Sequence, residues 1–228
     1  PAVILISGSG PQNRDCEFAG HKPFLVISDY LTKNGIAVLR YDDRGFGKST
    51  GDFKSAITSD FATDVTSAIE YLNSRSEINK NKIGLIGHSE GGIVAPMVAV
   101  TNDNVSFIVL LAGPGIEISK VILKQSELIT RATGVSEIEI QKSVANTETL
   151  IQLVLTSDNN DNFKSDLAKL LEKTYDEGPP VWIPDELTRE EYVATHTGLI
   201  SSPWYKTFTN RPNSNLTKSY LPCISFKR

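Results

Sequence analysis

The sequence has 228 residues, of which 39% are hydrophobic and 22% charged, with a net charge of −4. This composition is typical of a globular protein with one substantial core, built as one domain or as one domain with a large insertion. The 23 basic residues are outnumbered by 27 acidic ones and form no basic block, which argues against a nucleic-acid-binding surface. No apolar run approaches the roughly 18 residues that a membrane span needs.

Cysteine usage and the N-terminus leave the compartment open. Cys16 and Cys223 stand far apart, and two cysteines do not form a disulfide framework. We interpret them as free, partly buried thiols, with a bridge as the alternative. The chain begins inside a predicted strand, so a targeting segment could have been removed. A cytoplasmic location and a periplasmic or secreted one therefore both stay open.

Predicted strands and helices alternate through the first half of the chain. Short continuous apolar runs predict buried parallel strands, and apolar residues at helical spacing predict amphipathic helices between them. Strands separated by helices imply right-handed βαβ crossovers and a parallel sheet flanked by helices, an α/β fold. The predicted strands cover 3–6, 36–41, 82–86 and 107–112, and the predicted helices cover 24–31, 60–72 and 92–100.

The pattern changes after the fourth predicted strand. Residues 119–200 contain no convincing strand and show four helical runs, which we interpret as a helical insertion. The alternative is that these helices simply pack on the sheet. A strand-like run returns at 221–226. The helical runs cover 119–133, 136–156, 162–176 and 188–200.

The segment Gly87-His88-Ser89-Glu90-Gly91 joins the third predicted strand to a helix. A serine hydroxyl is a weak nucleophile and has to be presented on a sharp strand-to-helix turn, where small residues two places before and after let strand and helix approach. The helix N-terminus also favours developing negative charge. Ser89 is therefore the candidate nucleophile. His88 is interpreted as a packing residue, because neighbouring side chains on a tight turn point apart.

The glycine-rich segment Ser7-Gly8-Ser9-Gly10-Pro11 follows the first predicted strand. An oxyanion hole needs two N–H donors, one from the residue after the nucleophile and one from a loop after an early strand. Glu90 and Ser9 are the candidate donors, and Gly8 and Gly10 leave the backbone free to turn. A phosphate cradle is the alternative, but neither usual phosphate-loop pattern is present.

A second loop follows the second predicted strand and reads Tyr41-Asp42-Asp43-Arg44-Gly45-Phe46-Gly47-Lys48-Ser49. We expect Arg44 and the two aspartates, Asp42 and Asp43, to brace one another beneath the site. Direct contact with substrate is the alternative.

Together these segments resemble α/β-hydrolase-fold acyl hydrolases, most closely the bacterial branch of esterases and serine-aminopeptidase-like hydrolases. The resemblance rests on 6–15, 41–49 and 87–92, and on Ser202-Pro203-Trp204-Tyr205 with Phe208. It implies the α/β-hydrolase fold with a core over 1–116, a helical cap over 117–200 and a return to the core over 201–228. It further implies Ser89 as nucleophile, an acyl pocket bordered by Trp204, Tyr205 and Phe208, and no cofactor or metal. The implied substrates are small carboxylic esters, with amides or peptides in some members.

The catalytic acid and histidine of such enzymes follow the strand predicted here at 221–226, and this chain ends before both positions. His21 and His196 match neither. Because loss of a triad member costs on the order of 10⁴ to 10⁶ in turnover, we expect a truncated, impaired esterase unless another segment, a partner chain or His196 supplies the base. The terminal strand would leave an open sheet edge, so an edge-paired dimer is a hypothesis.

Three functions stay open. Ester hydrolysis is the leading hypothesis, because no acidic pair that would hold a substrate amino group can be identified. An aminopeptidase or acyl-peptidase of the same fold is the second hypothesis. A non-catalytic binding protein that uses a hydrolase-like pocket is the third.

Overall fold

The computed structural model describes residues 1–157, 161–178 and 187–211. The chain divides into two compact units, a sheet unit formed by Pro1–Gly115 and a helical unit within Ile116–Pro212. The predicted strand at 221–226 and Cys223 lie outside the described residues. No helix in the described ranges combines the length and the apolar character that crossing a bilayer requires.

The sheet unit is a four-stranded, fully parallel sheet with strand order β2-β1-β3-β4. From β1 the chain runs outward to β2 and then crosses back to pair β3 on the other side of β1. The carboxyl ends of β1 and β3 therefore lie side by side at a topological switch point, where open α/β sheets bind ligands. The elements are β1 Ala2–Ile6, α1 Pro23–Lys33, β2 Ala37–Leu39, α2 Thr58–Ser74, β3 Ile83–His88, α3 Gly91–Ala99 and β4 Val105–Leu111.

Both faces of β1 are buried, which explains its unbroken apolar sequence. Ala2, Ile4 and Ile6 pack with side chains of α2 and α3. Val3 and Leu5 pack on the opposite face with α1. The alternation follows from the two-residue period of a strand, so the sheet is covered by helices on both sides.

Each predicted element of this unit differs from the structure by one or two residues at one or both ends, and strand pairing explains two of the differences. The strand predicted at 36–41 is limited to Ala37–Leu39, because β2 is an edge strand that pairs only with Ala2–Ile4 of β1. The third strand runs two residues further than predicted, to His88, because β4 continues to pair with it up to Leu111.

The helical unit contains five helices among its described residues. Its buried core joins Val154 of α5, Leu167 and Leu171 of α6, and Tyr192 and Ile200 of α7. Helices α5 and α7 begin with capping boxes of the kind that Ser or Thr followed three residues later by Glu predicts. The helices are α4 Ile118–Ala132, α5 Glu137–Thr156, α6 Asp161–Asp176, α7 Arg189–Ile200 and α8 Pro203–Thr209.

Helix α8 was not predicted from the sequence. Ser202 caps it by accepting from the Tyr205 amide, and Pro203 occupies its first turn. The Lys206 ammonium donates to the Ser157 carbonyl at 2.7 Å. Contacts thus group α8 with the helical unit, whereas the predicted boundary separated 201–228 from it. The assignment of 117–200 as a cap stays a prediction.

Candidate active site

Ser89 occupies a sharp turn between β3 and α3. Its φ is +51°, a left-handed conformation that a residue with a side chain adopts only where the surroundings enforce it. The Ser89 amide donates to the Leu111 carbonyl at 2.9 Å, and the Ser89 carbonyl accepts from the Gly92 amide at 2.8 Å. The turn is thus held by β4 on one side and by the first turn of α3 on the other.

The two glycines that flank this turn allow its close packing. A Cβ on Gly87 would lie 2.0 Å from the Gly91 carbonyl oxygen, and a Cβ on Gly91 would lie 2.4 Å from the Ile6 carbonyl oxygen. Both contacts are with backbone, which cannot move aside. Small residues two places before and after Ser89 are therefore required by sterics at this turn.

The loop after β1 reaches Ser89 because Ile6 pairs with Gly87 across the parallel strands. A Cβ on Gly8 would lie 3.1 Å from the Ser89 Cβ, so these two predicted site residues are adjacent. Ser9 follows, and its carbonyl accepts from the Gln12 side chain at 3.3 Å. Gly10 has a φ of +85°, which explains the glycine there.

Cys16 lies behind this loop as a buried free thiol. Burial raises the pKa of the Cys16 thiol, and a hydrogen bond from the Gly8 backbone partly offsets that rise.

Asp43 ties the loop after β1 to the loop after β2. Its carboxylate accepts from the Ser7 hydroxyl at 2.7 Å and from the Gln12 amide at 2.8 Å. Burial raises the pKa of Asp43 to about 6, against the lowering effect of these two hydrogen bonds; the charges of Glu90 and Asp64 add to the rise. Asp43 thus positions the loop that carries Ser9.

Asp42 turns the other way and holds the outer part of both loops. It accepts from the Arg14 amide and side chain at 2.9–3.0 Å and from the Lys48 amide at 3.0 Å. These hydrogen bonds hold the pKa of Asp42 well below its usual range. A Cβ on Gly47 would lie 2.6 Å from its carboxylate, so glycine is needed there.

The expected bracing of Arg44 by the two aspartates of its own loop is wrong. Arg44 makes a bidentate pair with Asp64 of α2, with both N–O distances 2.8 Å, and donates to the Asp60 carbonyl. The Asp60 carboxylate itself accepts from the Ile57 amide at the start of α2. Asp42 and Asp43 find Arg14 and Ser7 instead.

Glu90 follows Ser89 as the N-cap residue of α3 and is buried, with 2% of the residue exposed. The Glu90 carboxylate accepts from the Thr58 hydroxyl at 2.7 Å. Asp43 and Asp64 share with Glu90 the lining of a cavity of about 20 Å³. The residue after Ser89 is thus anchored to the start of α2.

The three histidines lie in different places. His88 is half-buried, and its Nδ1 is buried with no hydrogen-bond partner among the described residues. His21 forms an isolated bridge with Phe18 on the surface. His196 belongs to the helical unit, where its Nδ1 lies 2.8 Å from the Tyr192 carbonyl. The geometry assigns none of them as the base.

The aromatic residues predicted to border an acyl pocket lie on α8. Trp204 and Phe208 stack with ring centroids 5.1 Å apart, and Tyr205 lines a large cavity within the helical unit. Their role toward an acyl group stays a prediction. The described residues hold no group of three or more His, Cys, Asp or Glu arranged to bind a metal ion.

Sequence reasoning missed the residues that hold the site from behind. The hydrogen-bond partners of Ser7, Gln12 and Asp64 lie 20 to 36 residues away in the sequence. Contacts at that separation leave no local sequence pattern. The i,i+4 spacing of Asp60 and Asp64 was a usable signal, since it places both on one helix face.

The family described as serine aminopeptidase, S33 matches residues 23–168, well over half of the chain. The chain belongs to this hydrolase family. With the parallel sheet and its flanking helices, this confirms the predicted α/β-hydrolase fold.

Two curated proteins with similar sequences are named as an esterase and an acyl transferase. Esterase EstD of Thermotoga maritima is 30% identical over 139 residues, covering 60% of this chain and 33% of that protein. An acyl transferase of Photobacterium leiognathi is 33% identical over 110 residues, covering 48% of this chain and 32% of that protein. This family member spans about a third of the length of these relatives.

Solved structures include the α/β hydrolase GrgF from Penicillium sp. sh18, with a TM-score of 0.47 and 18% identity. The match covers 95% of this chain and 75% of that one. The fold assignment rests on the family match and the sheet.

Proposed function

We propose that this chain carries the nucleophile and the oxyanion loop of a serine hydrolase that cleaves carboxylic esters. The observation that carries the proposal is the left-handed turn at Ser89 with Gly8 of the β1 loop against it. Such a turn presents the Ser89 hydroxyl clear of its own backbone.

In the proposed reaction, the Ser89 hydroxyl attacks the ester carbonyl and forms an acyl-enzyme, which water then hydrolyses. The amides of Ser9 and Glu90 stabilise the oxyanion. Ser9 follows Gly8, whose Cβ position lies 3.1 Å from the Ser89 Cβ. Glu90 stands at the N-terminus of α3, where the helix dipole favours negative charge.

Activation of the hydroxyl requires a base that we assign to none of His21, His88 and His196. Without a base, only binding and oxyanion effects remain, and turnover falls by about 10⁴-fold or more. Added imidazole can stand in for an absent histidine. Rescue by imidazole therefore tests the nucleophile independently of its natural partner.

The decisive experiment measures labelling of Ser89 by a fluorophosphonate, with and without imidazole. We expect an adduct on the peptide that contains Ser89, faster with imidazole and absent in Ser89→Ala. Ser106→Ala serves as the control, because Ser106 is exposed on β4. No labelling at any imidazole concentration would contradict the esterase proposal and favour a binding protein.

An aminopeptidase is the second candidate, favoured by the description of the matching family. Rates on p-nitrophenyl butyrate and on an aminoacyl p-nitroanilide separate the two, each corrected by Ser89→Ala. We expect the ester to be cleaved and the anilide not.

The helical unit is proposed as the cap. Dimerisation through a sheet edge stays a hypothesis, and a molar mass of one chain measured by light scattering would contradict it.

A further inference from the structure

The helical unit contains a cavity of about 430 Å³ that is partly open to solvent. Its volume falls in the range of about 300–1,000 Å³ that is usual for small-molecule sites. Much of the lining is apolar or aromatic and includes Ile122, Ile129, Leu150, Leu199, Tyr192 and Tyr205.

One wall of the cavity carries a chain of four hydroxyls across α4 and α5. The Ser126 hydroxyl lies 2.8 Å from that of Thr147 and 3.3 Å from that of Ser143. The Thr130 hydroxyl lies 3.0 Å from that of Ser143. Thr147 also donates to the Ser143 carbonyl at 2.9 Å.

Only one assignment of the four protons satisfies all four contacts. A carbonyl can only accept, so the Thr147 proton goes to it and Ser126 must donate to Thr147. Ser143 then donates to Ser126, and Thr130 donates to Ser143. All four hydroxyl protons are used in hydrogen bonds within this group, and each hydroxyl oxygen keeps at least one free lone pair. These four hydroxyls therefore accept hydrogen bonds from a ligand and offer none.

Charged side chains at the cavity favour the same ligand class. Glu139, Glu177 and Lys142 line it and are exposed, two carboxylates against one ammonium. The Lys142 ammonium already donates to the Glu177 carbonyl. The charged groups of the lining thus carry one more negative than positive charge, which disfavours an anionic ligand.

We propose that this cavity binds a hydrophobic alcohol or primary amine, whose hydroxyl or amino group donates to the Ser126–Thr147 hydroxyl chain and whose hydrocarbon part packs against the apolar lining. The proposal concerns the helical unit alone and uses no property of Ser89, so it stands or falls by binding.

Calorimetric titration of the full chain with hexan-1-ol, hexylamine and hexanoate tests the head-group preference. The three probes share one alkyl chain. We expect the alcohol and the amine to bind at least 10-fold more tightly than the carboxylate. Equal affinity for the three, tighter binding of hexanoate, or no binding of any would overturn the proposal.

Two variants test the place of binding. Thr147→Val removes an acceptor and releases the Ser126 proton, so the preference for hexan-1-ol over hexanoate should fall about 10-fold. Thr149→Val is the matched control, since Thr149 is exposed on the same helix. Ile122→Trp should fill the cavity and abolish binding of all three probes. This variant tests the location even if Thr147→Val fails to fold. Unchanged binding in Ile122→Trp, with native circular dichroism, would overturn the location.

Discussion

The Ser7 hydroxyl donates a 2.7 Å hydrogen bond to the Asp43 carboxylate, across 36 residues of sequence. This contact joins the loop after β1, which carries Ser9, to the loop after β2. The same carboxylate receives the Gln12 amide. Both ends of the proposed oxyanion loop are therefore held by one buried acid.

Asp43 should make stability fall as pH rises from about 4 to 7. Its folded pKa of about 6 exceeds the ordinary 3.8, so the fold favours the protonated form. Its stabilising contribution is complete below 3.8 and is lost as pH rises through 6, by about 3 kcal/mol in total. Asparagine does not titrate in this range, so the free energy of unfolding of Asp43→Asn, measured with urea, should rise relative to that of the wild type by about 3 kcal/mol between pH 4 and 7.

Asp42→Asn is the control of opposite sign. Arg14 lowers the pKa of Asp42, so its contribution is present above 3.8 and lost as pH falls below that value. The difference in the free energy of unfolding between Asp42→Asn and the wild type should change with pH only at acid pH. Parallel pH curves for wild type and Asp43→Asn would refute the assignment.

Gly91→Ala should destabilise the sheet unit by about 1–3 kcal/mol or more, because the added Cβ would meet the Ile6 carbonyl oxygen at 2.4 Å. It should also reduce fluorophosphonate labelling of Ser89. Gly115→Ala is the matched control, since nothing lies within 4 Å of its Cβ position. Equal thermal midpoints in the two variants would show that the turn is not sterically constrained.

The Arg44–Asp64 pair should show a coupling energy of about 1 kcal/mol in a double-mutant cycle with Arg44→Gln and Asp64→Asn. The pair is bidentate, and its side chains are 23% and 30% exposed, so solvent screens it only partly. The pair Arg75–Glu77 is the control at 49% and 57% exposed, and its coupling should be near zero. Equal coupling in both cycles would contradict a bracing role for Arg44.

The succession of strands and helices in the sheet unit, and the small residues around Ser89, could be predicted from the amino-acid sequence. Both depend on local physics. Unbroken apolar runs are needed for strands buried on both faces. Glycine at 87 and 91 follows from the space that a tight turn leaves, whatever the rest of the chain does.

The partner that each charged residue takes could not be predicted, because it depends on contacts between distant segments. Asp42, Asp43, Asp60 and Asp64 are similar as sequence, yet one meets Arg14, another Ser7, and Asp64 meets Arg44. The same holds for the hydroxyl chain in the helical unit. Such pairings arise when packing brings distant segments together, and a carboxylate or hydroxyl carries no local signal of the donor that packing will place beside it.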